Sequence, residues 1–158
     1  MGALTSSLWT RSKRNSNSLV FIFLIIAEHN LPVRCLNYDE NTNRFISASD
    51  DMHINIYDAE SFSVITPLVG HSDIISCLDY NLNVNLLASA SFDGTIKLWD
   101  IRSGKSCVQS LDVKKYLETD NKDPLLGEDS SVWDVAFSGA GDNIICGSER
   151  RSLIFTSG

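Results

Sequence analysis

Short runs of alternating hydrophobic and polar residues follow one another along most of the chain, with turn residues between them. Within residues 70–112 the runs read IISCLDY, NLLASAS, TIKLWD and SCVQSLD, and Asp93-Gly94 stands between the second and the third. Period-2 alternation with β-branched and aromatic side chains is typical of strands, and an Asp-Gly pair favours a tight turn. The pattern predicts four short antiparallel strands within about 42 residues.

This stretch is the second of three similar copies. Residues 29–58 align without gaps on residues 71–100, at an offset of 42 residues, and twelve of the thirty aligned positions are identical. A third copy begins at Val132, which aligns with Ile75 at an offset of 57 residues. Four strands repeated at a period of about 40–45 residues indicate one propeller blade per copy.

The second copy, GHSDIISCLDYNLNVNLLASASFDGTIKLWD, resembles a WD-repeat, with Gly70-His71 at its start and Trp99-Asp100 at its end. The resemblance extends from residue 29 to about residue 155. It implies an all-β fold, a WD-repeat β-propeller, to which the chain contributes about three four-stranded blades of an incomplete seven-bladed ring. It also implies a non-catalytic scaffold that binds other proteins, without a cofactor or a small-molecule substrate.

The copies divide most of the chain into segments. Residues 29–69 and 70–111 are predicted blades, residues 112–129 an inserted loop, and residues 130–158 a last blade that lacks its fourth strand. The insertion carries charges of both signs, so a solvated loop and a specific contact with a partner both remain open.

The first 28 residues differ from the repeats. Residues 1–18 are rich in Ser, Asn and Arg and are predicted to be disordered. Residues 19–28 contain the apolar run LVFIFLIIA behind basic residues, which is the outline of a signal peptide without a small-residue cleavage site. Shifted by 42 residues, the run falls on the fourth strand of the first complete blade. We expect the outer strand of a preceding blade, with a signal peptide or a gene-prediction artefact as the alternatives.

The family resemblance further implies a hydrogen-bonded tetrad of His, Ser, Asp and Trp in each blade. An indole N–H can donate to a hydroxyl group, the hydroxyl to an imidazole, and the imidazole to a carboxylate. The predicted members are His71, Ser89, Asp93 and Trp99 in the second copy, and His29, Ser47, Asp51 and Tyr57 in the first. In the third copy the same positions fall on Glu128, Cys146, Arg150 and Thr156, none of which matches.

Ser, His and Asp also form the catalytic triad of many hydrolases. A triad needs an exposed nucleophile and an oxyanion site, and it has no reason to recur at the period of a repeat. We therefore interpret the recurring set as structural and expect no enzyme activity.

The charge argues against nucleic acids as ligands, and the spacing of histidines and cysteines argues against metal ions. The formal net charge of −7 argues against direct nucleic-acid binding, which requires a basic patch. The three histidines and the cysteines show no convergent metal-ligand spacing. We interpret the four cysteines as small buried apolar residues of a protein from a reducing compartment. They are Cys35, Cys77, Cys107 and Cys146.

Function is expected where the copies differ. WD-repeat propellers bind partners across the face that carries the fourth-to-first and second-to-third strand loops. The candidate partner-binding residues on that face are Arg34, Asp50, Phe92 and Trp133, with Arg34 and Trp133 at equivalent first-strand positions. Arg and Trp are enriched among the anchors of protein interfaces. Burial between blades is the alternative for Trp133.

Three segments also resemble the final three blades of the WD-repeat subunit family of the superkiller complex. They are residues 32–61, 70–81 and 130–148. The resemblance implies an adaptor that binds the superkiller helicase and its helical-repeat scaffold in exosome-linked mRNA decay. It also implies a role in the nuclear RNA polymerase II-associated factor complex, in transcription elongation. A cytoplasmic or nuclear location follows, with no membrane partner. The alternatives are another WD-repeat scaffold, such as a ubiquitin-ligase receptor or a G-protein β-like protein, and a secreted or membrane-tethered fragment.

Overall fold

The computed structural model describes residues 28–102, 107–120, 130–148 and 152–156. The predictions for residues 1–27, disorder followed by an outer strand or a signal peptide, lie outside these residues. Glu128 and Arg150 lie outside them as well. In the described part of the chain, no helix is both long enough and apolar enough to span a membrane.

Three antiparallel sheets form the described part of the chain. Within each sheet the strands follow chain order, so consecutive strands are neighbours. The first contains β1 (Val33–Asp39), β2 (Arg44–Ser49), β3 (His53–Asp58) and β4 (Val64–Val69). The second contains β5 (Ile75–Asn81), β6 (Leu86–Ser91), β7 (Thr95–Asp100) and β8 (Gln109–Asp112). The third contains β9 (Val132–Phe137), β10 (Asn143–Ser148) and β11 (Ser152–Thr156).

Turn residues explain where the strands end. Asn43 and Asn85, at equivalent positions in the first-to-second strand turns, adopt φ angles of 53° and 56°. Asparagine tolerates this left-handed conformation better than most residues. Gly94 adopts a φ of 81° between β6 and β7, as expected for the Asp-Gly turn. The equivalent residue of the first sheet is Met52, with a φ of 67°.

The sheets stack through repeated apolar faces. One core cluster combines Ile46 and Ile54 of the first sheet with Leu87 and Trp99 of the second. The next cluster forms between the second and third sheets in the same manner. Its members include Ala88, Leu98, Val135 and Ile144.

The third sheet has one apolar face without a fourth sheet against it in the described residues. Ile145 pairs with Ile154 in register, as Ala88 pairs with Leu98 in the second sheet. Ile145 and Ile154 are 45% and 66% exposed, whereas the alanine is fully buried. The three sheets are therefore consecutive blades of an incomplete propeller and do not close into a ring.

The predicted inserted loop needs a correction, because its first part is a helix. Residues Val113–Asp120 form α1, directly after β8. Val113 is fully buried in the cluster between the second and third sheets, and the Tyr116 ring meets that of Phe155 edge-on at 4.8 Å. The many charges of this segment obscured apolar residues at a helical spacing, Val113, Tyr116 and Leu117.

The alignment of the third copy also needs a correction at its last strand. Ile144 pairs with Phe155, whereas Leu87, the residue equivalent to Ile144, pairs with Trp99. Phe155 therefore occupies the position of Trp99, and the expectation that Thr156 does so is wrong. Four residues lie between the paired Gly147 and Ser152, whereas five lie between the equivalent paired residues Ala90 and Ile96, so an ungapped alignment misplaces β11 by one residue.

Candidate functional site

A β-bulge interrupts the first strand of every sheet at the same place. In the first sheet Val33 pairs with Ser49 and Cys35 with Ala48, which leaves Arg34 without a cross-strand partner. The same register shift leaves Ser76 unpaired in the second sheet and Trp133 in the third. Because a bulge adds one residue to a strand and breaks the alternation of its side chains, it re-aims the extra side chain.

The bulge in the first sheet presents an ion pair. Arg34 Nε and Nη2 donate to the two carboxylate oxygens of Asp50 over 2.5 and 2.8 Å. The Arg34 side chain is 49% exposed, and Asp50 lies in the turn between β2 and β3. The hydrogen bond to Asp50 raises the pKa of Arg34 above its ordinary value and outweighs the opposing effect of burial.

The bulge in the third sheet presents an aromatic pair. The Trp133 ring lies 4.5 Å from the Phe92 ring, centroid to centroid, at an angle of 58°. Phe92 belongs to the turn after β6 in the second sheet, so the pair spans two blades. Trp133 nevertheless remains 52% exposed. It therefore contacts the neighbouring blade, as the burial alternative required, and still offers half of its surface to solvent.

The bulge in the second sheet carries a residue that the sequence did not single out. The Ser76 hydroxyl lies 2.6 Å from the carbonyl oxygen of Val132 in the third sheet and 3.2 Å from that of Ala90 in its own sheet. The signal was available, because Ser76 aligns with both Arg34 and Trp133. We call the surface formed by Arg34, Asp50, Ser76, Phe92 and Trp133 the bulge face.

The predicted tetrad of the second blade forms one hydrogen-bonded chain, which ends at Asp93, the residue after Phe92 of the bulge face. Trp99 Nε1 donates to Ser89 Oγ over 2.8 Å, and Ser89 Oγ lies 2.7 Å from His71 Nε2. His71 Nδ1 lies 2.7 Å from Asp93 Oδ2. A carboxylate accepts, so Nδ1 donates, and the neutral imidazole then accepts the Ser89 proton at Nε2. The geometry brings together all four residues that the sequence selected.

Asp93 connects this chain to the loops of the bulge face. Its carboxylate also accepts the backbone N–H groups of Ser72 and Thr95, over 3.0 and 2.9 Å. Burial would raise the pKa of Asp93, but the hydrogen bonds from His71 and Thr95 outweigh it and hold the pKa well below its ordinary value. The carboxylate is therefore ionised and fixes both the turn before β5 and the turn after β6.

The first blade builds a looser version. His29 Nδ1 lies 2.8 Å from Asp51 Oδ2, and His29 Nε2 lies 2.7 Å from Ser47 Oγ. The hydroxyl oxygens of Ser47 and Tyr57 are 3.4 Å apart, because the phenol group does not reach as the indole does.

Asn55 adds a polar group that sequence reasoning missed in the first blade. Its side-chain nitrogen donates to the Tyr57 hydroxyl over 3.3 Å and lies 3.4 Å from His29 Nε2. The residue is 7% exposed. Because Asn55 aligns with Lys97, a position that is not identical between copies, the comparison of copies did not select it.

The third blade replaces the polar chain with apolar side chains. Cys146 aligns with Ser89 and is buried. Leu153 pairs with Cys146 and Phe155 with Ile144, and all these side chains belong to the cluster against the second blade. Thr156 is exposed at the end of β11.

Comparison with known proteins decides the family. The family described as "WD domain, G-beta repeat" matches residues 21–58, 62–100 and 122–155. The chain belongs to the WD-repeat family. A search of curated proteins found no match. The WD-repeat chain is also similar to the crystal structure of the WD40 beta propeller domain of Doa1, with a TM-score of 0.66 and 26% identity. That similarity covers 83% of this chain and 38% of the Doa1 chain, so the WD-repeat chain spans well under half of its length.

Propellers of the WD-repeat family generally bind other proteins and are typically non-catalytic. The tetrads of this WD-repeat chain are consistent with that role. Ser47 and Ser89 are completely buried, so neither hydroxyl is accessible to attack a substrate from solvent. Across the described residues, no group of three or more His, Cys, Asp or Glu side chains is arranged to hold a metal ion.

Proposed function

We propose that this WD-repeat chain is a non-catalytic adaptor that binds a protein partner through the bulge face. One observation carries the proposal: Trp133 rests on Phe92 of the neighbouring blade yet keeps 52% of its surface exposed. An aromatic ring that is already positioned loses little conformational freedom on binding, and it can bury its remaining apolar area against a partner. Trp and Arg are the residue types that most often dominate interface energies.

The surroundings of Trp133 favour a surface that is formed before binding. Asp51 and Asp93 anchor the turns that carry Asp50 and Phe92 by accepting backbone N–H groups, and the ion pair holds Arg34. A preorganised surface avoids the cost of ordering side chains and loops during association. The partner we expect presents an apolar pocket for the Trp133 ring, with polar groups around it.

For the identity of the partner we propose the superkiller type. The support is the resemblance of residues 32–61, 70–81 and 130–148 to the final blades of that subunit family. The expected partners are the superkiller helicase and its helical-repeat scaffold, or subunits of the RNA polymerase II-associated factor complex. The proposal includes a cytoplasmic or nuclear location, no direct nucleic-acid contact and no membrane partner.

A second candidate is another WD-repeat scaffold, such as a ubiquitin-ligase receptor or a G-protein β-like protein. The match to the general WD-repeat family and the likeness to the Doa1 propeller support both candidates equally. The two differ in the partners that the bulge face would select.

Affinity purification of the tagged chain from cells that express it, followed by mass spectrometry, tests the proposal. We expect recovery of the superkiller helicase with its scaffold, or of elongation-complex subunits. Trp133→Ala should reduce that recovery about tenfold or more, which corresponds to a loss of 1.4 kcal/mol or more at an interface anchor. Leu82→Ala is the matched control, since Leu82 is 43% exposed in the turn after β5, at the opposite end of the strands.

The experiment tests the binding surface and the identity of the partner separately. Equal recovery of partners by wild type, Trp133→Ala and Leu82→Ala would exclude the bulge face as the binding surface. Recovery of ubiquitin-ligase or G-protein subunits, lost specifically in Trp133→Ala, would retain the bulge face and replace the superkiller assignment with the second candidate.

A further inference from the structure

Two cysteines occupy equivalent positions in neighbouring blades, on the strands that contact each other. Cys35 lies in β1 and Cys77 in β5, each one residue after its bulge. Strands β1 and β5 are in contact, although they belong to different sheets. Neither thiol is completely buried, in contrast to Cys146. Both residues pack against the core clusters as partly buried apolar side chains, so the expectation of buried apolar cysteines holds only in part for this pair.

The two sulfur atoms approach the same residue of β5. The N–H of Leu78 donates to Cys35 Sγ, with 3.3 Å between nitrogen and sulfur. The carbonyl oxygen of Leu78 lies 3.7 Å from Cys35 Sγ and 3.7 Å from Cys77 Sγ. A side chain from the first blade thus reaches across the blade boundary to the peptide group that follows Cys77.

This arrangement divides the roles of the two thiols. The Cys77 thiol and the Leu78 backbone stabilise negative charge on Cys35 against the opposing effect of burial, and they lower its pKa. The proximity of Cys35, together with burial, raises the pKa of Cys77. The thiolate is the nucleophile in thiol–disulfide exchange. Because the Leu78 N–H donates to Cys35 Sγ, we expect Cys35 to be the attacking sulfur and Cys77 the sulfur that resolves.

From these contacts we propose that Cys35 and Cys77 are a modification site, a dithiol that a small disulfide such as oxidised glutathione converts into a disulfide bridge between the first and second blades. The inference is independent of the protein partner of the bulge face.

The exchange is balanced without any further reactant. The Cys35 thiolate attacks one sulfur of oxidised glutathione, which forms a mixed disulfide and releases one glutathione thiolate. Cys77 then loses its proton to solvent and attacks the Cys35 sulfur, which displaces the second glutathione. The protein loses two hydrogen atoms and two electrons, and oxidised glutathione is reduced to two molecules of glutathione.

Incubation of the full chain with oxidised glutathione, followed by non-reducing peptide mass spectrometry, tests the proposal. We expect a product that is two hydrogen atoms lighter, a cross-linked peptide pair containing Cys35 and Cys77, and full reversal by dithiothreitol. Under native conditions this pair should form at least tenfold more than any other pairing of the four cysteines. In urea the preference should disappear, because it comes from the fold.

Two variants, with a third as a control, test which cysteine attacks the small disulfide and which one closes the bridge. Cys77→Ser should stop at the mixed disulfide on Cys35, whereas Cys35→Ser should slow glutathione addition at the remaining position about tenfold or more. Cys107→Ser is the control, because Cys107 is also partly exposed but lies outside the pair, and it should leave the cross-link unchanged. Circular dichroism checks that each variant folds. Absence of the Cys35–Cys77 peptide from folded, oxidised protein, or equal amounts of other pairings, would overturn the proposal.

Discussion

The second and third blades pack different kinds of side chain at equivalent strand positions. In the second blade Trp99, Ser89, His71 and Asp93 form a buried chain of hydrogen bonds. In the third blade the positions of Ser89 and Trp99 carry Cys146 and Phe155, which pack as apolar side chains together with Leu153. The first three strands of the two blades nevertheless pair in the same order. Strand pairing and apolar burial therefore hold the three described strands of the third blade together.

The difference indicates what the tetrad contributes. Asp93 holds the backbone of Ser72, before β5, and of Thr95, at the start of β7. In the third blade Phe155 instead packs against Tyr116 of α1. The polar chain thus specifies the positions of the loops in the second blade, and the apolar side chains of the third blade contribute to the packing between sheets. Buried polar networks that are fully satisfied make a structure more specific.

The largest effect on stability is expected when the aromatic ring is removed from each of the two blades. Trp99→Ala should cost about 3–5 kcal/mol of unfolding free energy, because the ring is fully buried and its loss leaves a cavity beside Ser89. Phe155→Ala should cost about half as much or less, because Phe155 is only partly buried. Urea unfolding measures both values, and equal losses would contradict the contrast between the blades.

A smaller effect is expected from Asp93→Ala, which removes the last acceptor of the polar chain. The loss should be about 1–3 kcal/mol at neutral pH, because His71 and two backbone N–H groups lose their partner. The low pKa of Asp93 in the folded protein means that this contribution is present above the ordinary Asp value of about 3.9 and is lost as the pH falls towards the folded pKa.

Unfolding of wild type and Asp93→Ala across this acid range tests the assignment. The two stabilities should converge as the pH falls, because the wild-type carboxylate becomes protonated. Glu40→Gln is the control, since Glu40 is exposed in the turn after β1, and it should stay parallel to wild type. A constant difference between wild type and Asp93→Ala at every pH would show that the ionised carboxylate is not the source of the effect.

The smallest effect on stability is expected at one turn position, where the first and second blades carry different residues. Met52→Gly should raise the free energy of unfolding by about 0.5–1 kcal/mol, because Met52 has a φ of 67° where the second blade has glycine. Gly94→Ala should act in the opposite direction, since a Cβ there would lie 2.5 Å from Ser130 Oγ. Thermal unfolding of both variants measures the effect, and a lower melting temperature for Met52→Gly would disprove it.

The sequence predicted the structural features that repeat between the copies, and its predictions were incomplete or wrong at positions where the copies differ. The period located the three blades, and the resemblance to WD-repeats implied the two polar chains that the structure brings together. Asn55 was missed because its counterpart is Lys97. Strand β11 was misplaced because one residue fewer lies between the paired residues of β10 and β11 than between those of β6 and β7. The convergence of Cys35 and Cys77 on Leu78 depends on how two blades stack, which no pattern within one blade describes.

The repeated bulges place candidate binding residues at positions that take no part in cross-strand pairing. Arg34 and Trp133 have no cross-strand partner, while the residues on either side of them keep their pairs. A substitution at such a position requires no matching change in the neighbouring strand, so mutation can sample new contacts one blade at a time. A family that reuses one scaffold for many partners can therefore acquire a new specificity through single substitutions, and an engineered binder can be built from the same few positions.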